Sequence, residues 1–67
     1  MNFLDITKWY AGTDGRVYVN PRTIARVEFG YDYYDKKQCA WISFVDGQCL
    51  KLYTTEDEFW NKMEKVR

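Results

Sequence analysis

A mainly β, α+β domain, built as a strongly bent antiparallel sheet or small open barrel of about five strands with one C-terminal helix, is predicted by three features of this chain. Apolar and polar residues alternate along successive short runs, an Asp-Gly pair separates two of those runs, and a helix-capping signal opens the C-terminal segment. At 67 residues the chain makes one domain, 1–67, around one core. A domain this small removes only about 60% of its unfolded surface from water, and oligomerisation is a common remedy for the thin margin.

Leu4 and Ile6 alternate with Asp5 and Thr7, which predicts a half-buried first strand running to about Tyr10, whose ring is expected outward. Ala11-Gly12-Thr13-Asp14-Gly15 has the composition of a hairpin loop. Val17 and Val19 then flank Tyr18 in a second strand, valines inward and tyrosine outward. Asn20-Pro21 ends it, because proline cannot donate to a ladder. Pro21-Arg22-Thr23-Ile24 suits one helical turn, with Asn20 as its cap and Ile24 dropping into the core. From Ala25 the period of two returns. Val27, Phe29, Tyr31 and Tyr33 fall inward, and Arg26, Glu28, Gly30, Asp32 and Tyr34 outward. Asp35-Lys36-Lys37 turns the chain into a run with Ala40, Ile42 and Phe44 inward and Cys39, Trp41 and Ser43 outward.

The hairpin at Asp46-Gly47 can be tested for register. A two-residue loop sets Lys51 across from Ile42 on the core face, and opposed residues share a face. A three-residue loop with Gly47 in the left-handed conformation instead pairs Phe44 with Gln48, Ile42 with Leu50 and Ala40 with Leu52. That register places Trp41 opposite Lys51, Cys39 opposite Tyr53 and Ser43 opposite Cys49 on the outer face. Cys39 and Cys49 are then offset by on the order of 13 Å at about 3.3 Å per residue. An internal disulfide needs Cα atoms within about 7 Å, so none is expected.

Thr55-Glu56-Asp57-Glu58 is a capping box with three acids in the first turn, and Lys62, Lys65 and Arg67 follow toward the other end. Phe59, Met63 and Val66, with Trp60 beside them, make an apolar stripe to lie on the sheet. The expected core is Leu4, Ile6, Val17, Val19, Ile24, Val27, Phe29, Ala40, Ile42, Phe44, Leu50, Leu52, Phe59 and Met63.

Six Tyr, four Phe and three Trp stand against no histidine at all, so the commonest acid/base and metal side chain is missing while ring surface is in excess. Two cysteines without a C-x-x-C pair make no zinc site, and no metal or cofactor is expected. Asp32 and Asp35, beside Tyr33 and Tyr34, are the only candidates for acid/base work, and no catalytic residue is assigned. Gly12-Thr13-Asp14-Gly15 puts an acid where phosphate-binding amides belong, with no helix after it. Ten basic and ten acidic residues cancel. Exposed rings beside arginines suit single-stranded nucleic acid, but zero net charge argues against it, because phosphate contacts dominate such affinity. The chain has no long apolar span, and its first residues lack the pattern of a signal peptide, so a cytoplasmic location away from membranes is expected.

Leu4-Asp5-Ile6-Thr7, Val17-Tyr18-Val19-Asn20-Pro21 with Ile24 and Val27, Ile42-Ser43-Phe44-Val45-Asp46-Gly47, and Thr55-Glu56-Asp57-Glu58-Phe59 together resemble the small FlbD family of bacterial flagellar-associated proteins. The resemblance spans nearly the whole chain, with extra residues around Ala11 to Asp14 and Tyr31 to Lys37 and more aromatics than that family carries. It implies a cytoplasmic accessory protein that works through contacts and supplies no catalytic residues.

The function expected from the residues is non-catalytic binding by a small adaptor or accessory protein that forms a homo-oligomer. Its surface is assigned to Tyr18, Tyr34, Trp41, Lys51 and Tyr53 with Arg22 and Arg26, the two arginines jointly receiving an acidic or phosphorylated group. The alternatives are a phage-type inhibitor that blocks a host enzyme or captures a small nucleotide, and a single-strand nucleic-acid binder.

Overall fold

The turn and capping chemistry acts where it was placed. In the computed structural model, which describes residues 2–66, Asn20 caps a 3-10 turn over Pro21–Thr23, its side chain accepting from the Arg22 amide at 3.0 Å. Thr55 caps helix α1 (Glu56–Lys65), accepting from the Glu58 amide at 3.2 Å. Arg67, expected at the basic end of that helix, lies outside the described residues.

The strands are β1 (Leu4–Asp5), β2 (Tyr18–Val19), β3 (Ile24–Asp32), β4 (Lys37–Phe44) and β5 (Cys49–Leu52). The fold is mainly β with one C-terminal helix, as expected, and its antiparallel strands fall into two ladders, β1-β2 and β3-β4-β5, which do not close into a barrel. The β4-β5 register is the one that keeps lysine off the core face: Ala40 opposes Leu52, Trp41 opposes Lys51, Ile42 opposes Leu50 and Ser43 opposes Cys49. Gly47 has φ +91, and the Phe44 amide donates to the Gln48 carbonyl at 2.8 Å. That is the three-residue loop with a left-handed glycine.

The first strand is shorter than its alternation suggests. Asp5 Oδ1 accepts from the Thr7 amide at 3.0 Å and from the Thr7 hydroxyl at 2.6 Å, and Thr7 Oγ1 accepts from the Val17 amide at 2.9 Å. The Trp9 and Tyr10 amides both donate back to the Ile6 carbonyl. Local side-chain bonds thus turn the chain after Ile6 instead of letting it run on to Tyr10.

Leu4, Ile6, Val19, Ile42, Leu52 and Phe59 form the buried cluster, with Val17, Ile24, Val27, Phe29, Phe44, Leu50 and Met63 packed against it and Ala40 fully buried. Every residue expected in the core is there. Phe59 is the contact between helix and sheet, with ring centroids 5.6 Å from Phe29 and 6.0 Å from Trp9.

Four rings depart from their expected sides. Tyr10, expected outward, packs on the core with Trp9 because of the turn at Ile6. Trp60, expected with the stripe that lies on the sheet, is 45% exposed, since Phe59 on that turn is the residue buried against the sheet while Trp60 edges onto Phe29 and Phe59. Tyr31 and Tyr33, expected inward, are 42% and 82% exposed and meet edge to face with centroids 4.9 Å apart, because the β3-β4 hairpin extends past the end of the core.

Candidate functional site

The face of β3-β4-β5 that points away from the core carries Arg26, Glu28, Gly30 and Asp32 from β3, Lys37, Cys39, Trp41 and Ser43 from β4, and Cys49 and Lys51 from β5. Trp41 lies at its middle, between Glu28 and Lys51 on the flanking strands. The indole leans over Gly30, where an added Cβ would come to 3.0 Å from Trp41 Cζ3. A glycine inside a strand often marks such a close approach. Gly30 was therefore a readable signal for a seated ring.

Toward the hairpin tip this face is closed by polar side chains. Asp32 Oδ1 accepts from the Tyr34 amide at 2.9 Å and the Asp35 amide at 3.1 Å, which ties down the loop whose last residue, Lys36, has φ 57. Asp32 Oδ2 takes the Lys51 ammonium, and the Tyr53 hydroxyl donates to Asp35. Lys37 and Lys51 sit over the Tyr53 ring at 5.1 and 5.3 Å. Beneath this cover Cys39 is 1% exposed. Its side of the sheet is the expected one, but it is buried, because Asp32, Lys51 and Tyr53 roof the end of the face that bare alternation leaves open. Burial pushes the Cys39 thiol up. Cys49, exposed, touches Ser43 Oγ at 3.4 Å, and both cysteines are free.

The Lys51 ammonium, then the Asp35 and Tyr34 amides, hold the Asp32 carboxyl below its ordinary range. Asp32 in turn raises Lys51, and Asp35 raises Tyr53. A lowered carboxylate with every oxygen engaged is poorly suited to take or give a proton near neutral pH. Among the described residues no group of three or more His, Cys, Asp or Glu comes together to hold a metal ion.

The residues assigned to binding divide into separate places. Trp41, Lys51 and Tyr53 share the outer face, with Tyr53 and Lys51 half-buried by the network just described. Arg26 reaches the same face opposite Ser43, past a bulge after Ile24, and is bridged to Glu28 at 2.8 Å. Arg22 is exposed on the 3-10 turn. Tyr34 is 86% exposed at the β3-β4 tip. Tyr18 is 49% exposed on the β1-β2 ladder, where hydrogen bonding to its side chain raises Arg16. A further open groove of about 340 Å³ lies between the β1-β2 connection and α1, lined by Lys8, Trp9, Glu58, Asn61, Lys62 and Lys65. The Lys62 ammonium already stands over the Trp9 ring there, 5.3 Å from its centroid.

No protein-family model matches this chain, and neither a curated protein nor a solved structure matches it. Among the described residues no helix is long and apolar enough to cross a membrane.

Proposed function

We propose that the protein is a non-catalytic protein-binding module that works as a homo-oligomer, an accessory protein of the kind its FlbD-like pattern implies, with the outer face of β3-β4-β5 as its recognition surface. The observation that carries this reading is Trp41, 38% exposed at the centre of a face on the side of the sheet away from α1, and seated over Gly30. A ring held in place loses little freedom on binding, and a rigid aromatic with charged neighbours is the composition of an interface hot spot. Arg26, Glu28 and Lys51 border it with both signs of charge, which favours a polar protein surface over a polyanion.

Capture of a small nucleotide gains little support from the groove beside α1, because the Lys62 ammonium already stands over the Trp9 ring on which a base would stack. Affinity capture with the full chain as bait tests the proposal. Trp41→Ala and Tyr53→Ala should lose the recovered protein while keeping the wild-type circular dichroism spectrum. Recovery unchanged in both variants removes the outer face as the recognition surface. A complex with labelled oligonucleotides that weakens steeply with salt would move the reading to nucleic acid.

A further inference from the structure

The longest strand in the molecule is also an edge. β3 runs nine residues and pairs on one side only, with β4, in a sheet ordered β3-β4-β5. Which of its backbone groups are free follows from the neighbouring hairpin. The Phe44 amide donates to the Gln48 carbonyl in β5, so in β4 the groups of Phe44, Ile42 and Ala40 face β5, and those of Ser43, Trp41, Cys39 and Lys37 face β3. Their partners Arg26, Glu28, Gly30 and Asp32 face back. The amides and carbonyls of Val27, Phe29 and Tyr31 therefore point away from the sheet, and among the described residues no other backbone group meets them.

Native proteins blunt such edges with short strands, charged side chains, proline, bulges or a covering segment. The opposite edge of this sheet is treated that way, because β5 has only four residues and the Tyr53 amide just beyond it donates to the Trp9 carbonyl at 2.8 Å. On β3 the one irregularity lies at the start, between Ile24 and Arg26. The regular run from Arg26 to Asp32 is left open to pairing, its charges being of both signs and already engaged, Arg26 with Glu28 and Asp32 with Lys51.

We infer that β3 pairs antiparallel with β3 of a second copy of this chain, about a two-fold axis through Phe29, joining two three-stranded sheets into one. This rests on the homo-oligomer part of the proposed function and not on the outer face. The run is self-complementary about that axis. Val27 of one copy meets Tyr31 of the other, Phe29 meets Phe29, and each such pair exchanges two backbone hydrogen bonds. Arg26 faces Asp32, and Glu28 faces Gly30, so no like charges oppose one another. Because the axis stands perpendicular to the sheet, both helices fall on the same side. Trp60, 45% exposed and 6.2 Å from Phe29 between ring centroids, is placed to be covered beside the axis. The pairing is isologous and closes, so it stops at two copies.

Light scattering combined with residue-resolved hydrogen exchange on the full chain tests this. The mass should be that of a dimer, with the Val27, Phe29 and Tyr31 amides protected like those of Glu28 and Gly30, and their protection should fall on dilution. Tyr31→Pro removes one edge donor at a position where a monomer has no use for it, so it should halve the mass. Exchange in the wild type supplies the answer should that variant fail to fold. A monomer at every concentration, or a dimer in which those three amides exchange freely, overturns the pairing. If such a chain still captures protein through Trp41, the outer-face reading stands while this one falls.

Discussion

The two faces of the β3-β4-β5 sheet obey the same alternation and are covered by different physics. On the inner face Ile42 and Leu52 are buried in one cluster with Phe59 of α1, Leu50 and Phe29 pack against it, and the Phe29 and Phe59 rings meet edge to face, an apolar layer. On the outer face no helix arrives among the described residues, and coverage at the tip end comes from side chains of the sheet and its flanking loops, Asp32 with Lys51 and Tyr53 with Asp35, leaving Trp41 half open. A small domain can therefore bury a cysteine under a polar roof as completely as it buries the phenylalanine of its helix against the sheet. The apolar layer is non-directional and holds at any pH, whereas the polar roof depends on the charge of each member.

The largest difference between the faces should appear on removing the inner lid. Phe59→Ala deletes a fully buried ring and should cost about 3–5 kcal/mol, read as a fall in the urea midpoint by circular dichroism. With total stabilities of about 5–15 kcal/mol for native domains, that loss leaves little margin. A midpoint close to wild type would mean that Phe29 and Trp9 collapse onto the vacated space and that the helix is not the principal lid.

Acid and alkali should act on the outer face and, through Asp5, on the turn after β1, and leave the apolar layer untouched. Asp32 is lowered from its ordinary 3.8, so its contribution is complete above about pH 4 and is lost as pH falls through the lower folded value. Lys51 and Tyr53 are raised from 10.5 and 10.0, so theirs are complete below about pH 10 and are lost as pH rises through the higher folded values. Melting temperature should thus be flat across neutral pH and fall at both ends. Asp32→Asn should flatten the acid limb, with the part due to Asp5, lowered by Thr7, remaining. An acid limb that is the same in this variant would assign the sensitivity to other carboxylates.

The smallest effect is chemical and costs no stability. Cys49 should alkylate readily in the native state, while Cys39, buried and with its thiol pushed up, should react only on unfolding. Mass spectrometry of the labelled chain counts the modified thiols. Equal rates at the two sites would mean that the roof over Cys39 opens in the native state.

Where the residue types of a turn or a cap decide the conformation, the fold was legible. Asn20-Pro21 starts its turn, Thr55 caps α1, and Asp46-Gly47 selects a loop whose register follows from keeping Lys51 off the core face. The first strand was misread for a reason equally local but not periodic, since the Asp5 and Thr7 side chains redirect the backbone and alternation carries no trace of that. The outer-face site was legible only in part. Trp41 opposite Lys51 followed from register, yet the exposure of Tyr53 and Cys39 did not, because it depends on where the far end of the Lys51 side chain finds a carboxylate.

By itself, then, the sequence determined the helix, the hairpin register and the membership of the core, because the period, turn and cap signals that specify them act over a few residues. The tertiary structure decided that the strands divide into two ladders, that Asp32 joins Lys51, and that β3 is left with an open edge. Those outcomes depend on which distant groups meet once the chain has closed. Hydrogen bonds are directional, and they and screened ion pairs act over short range, so no pattern along one strand announces its partner on another.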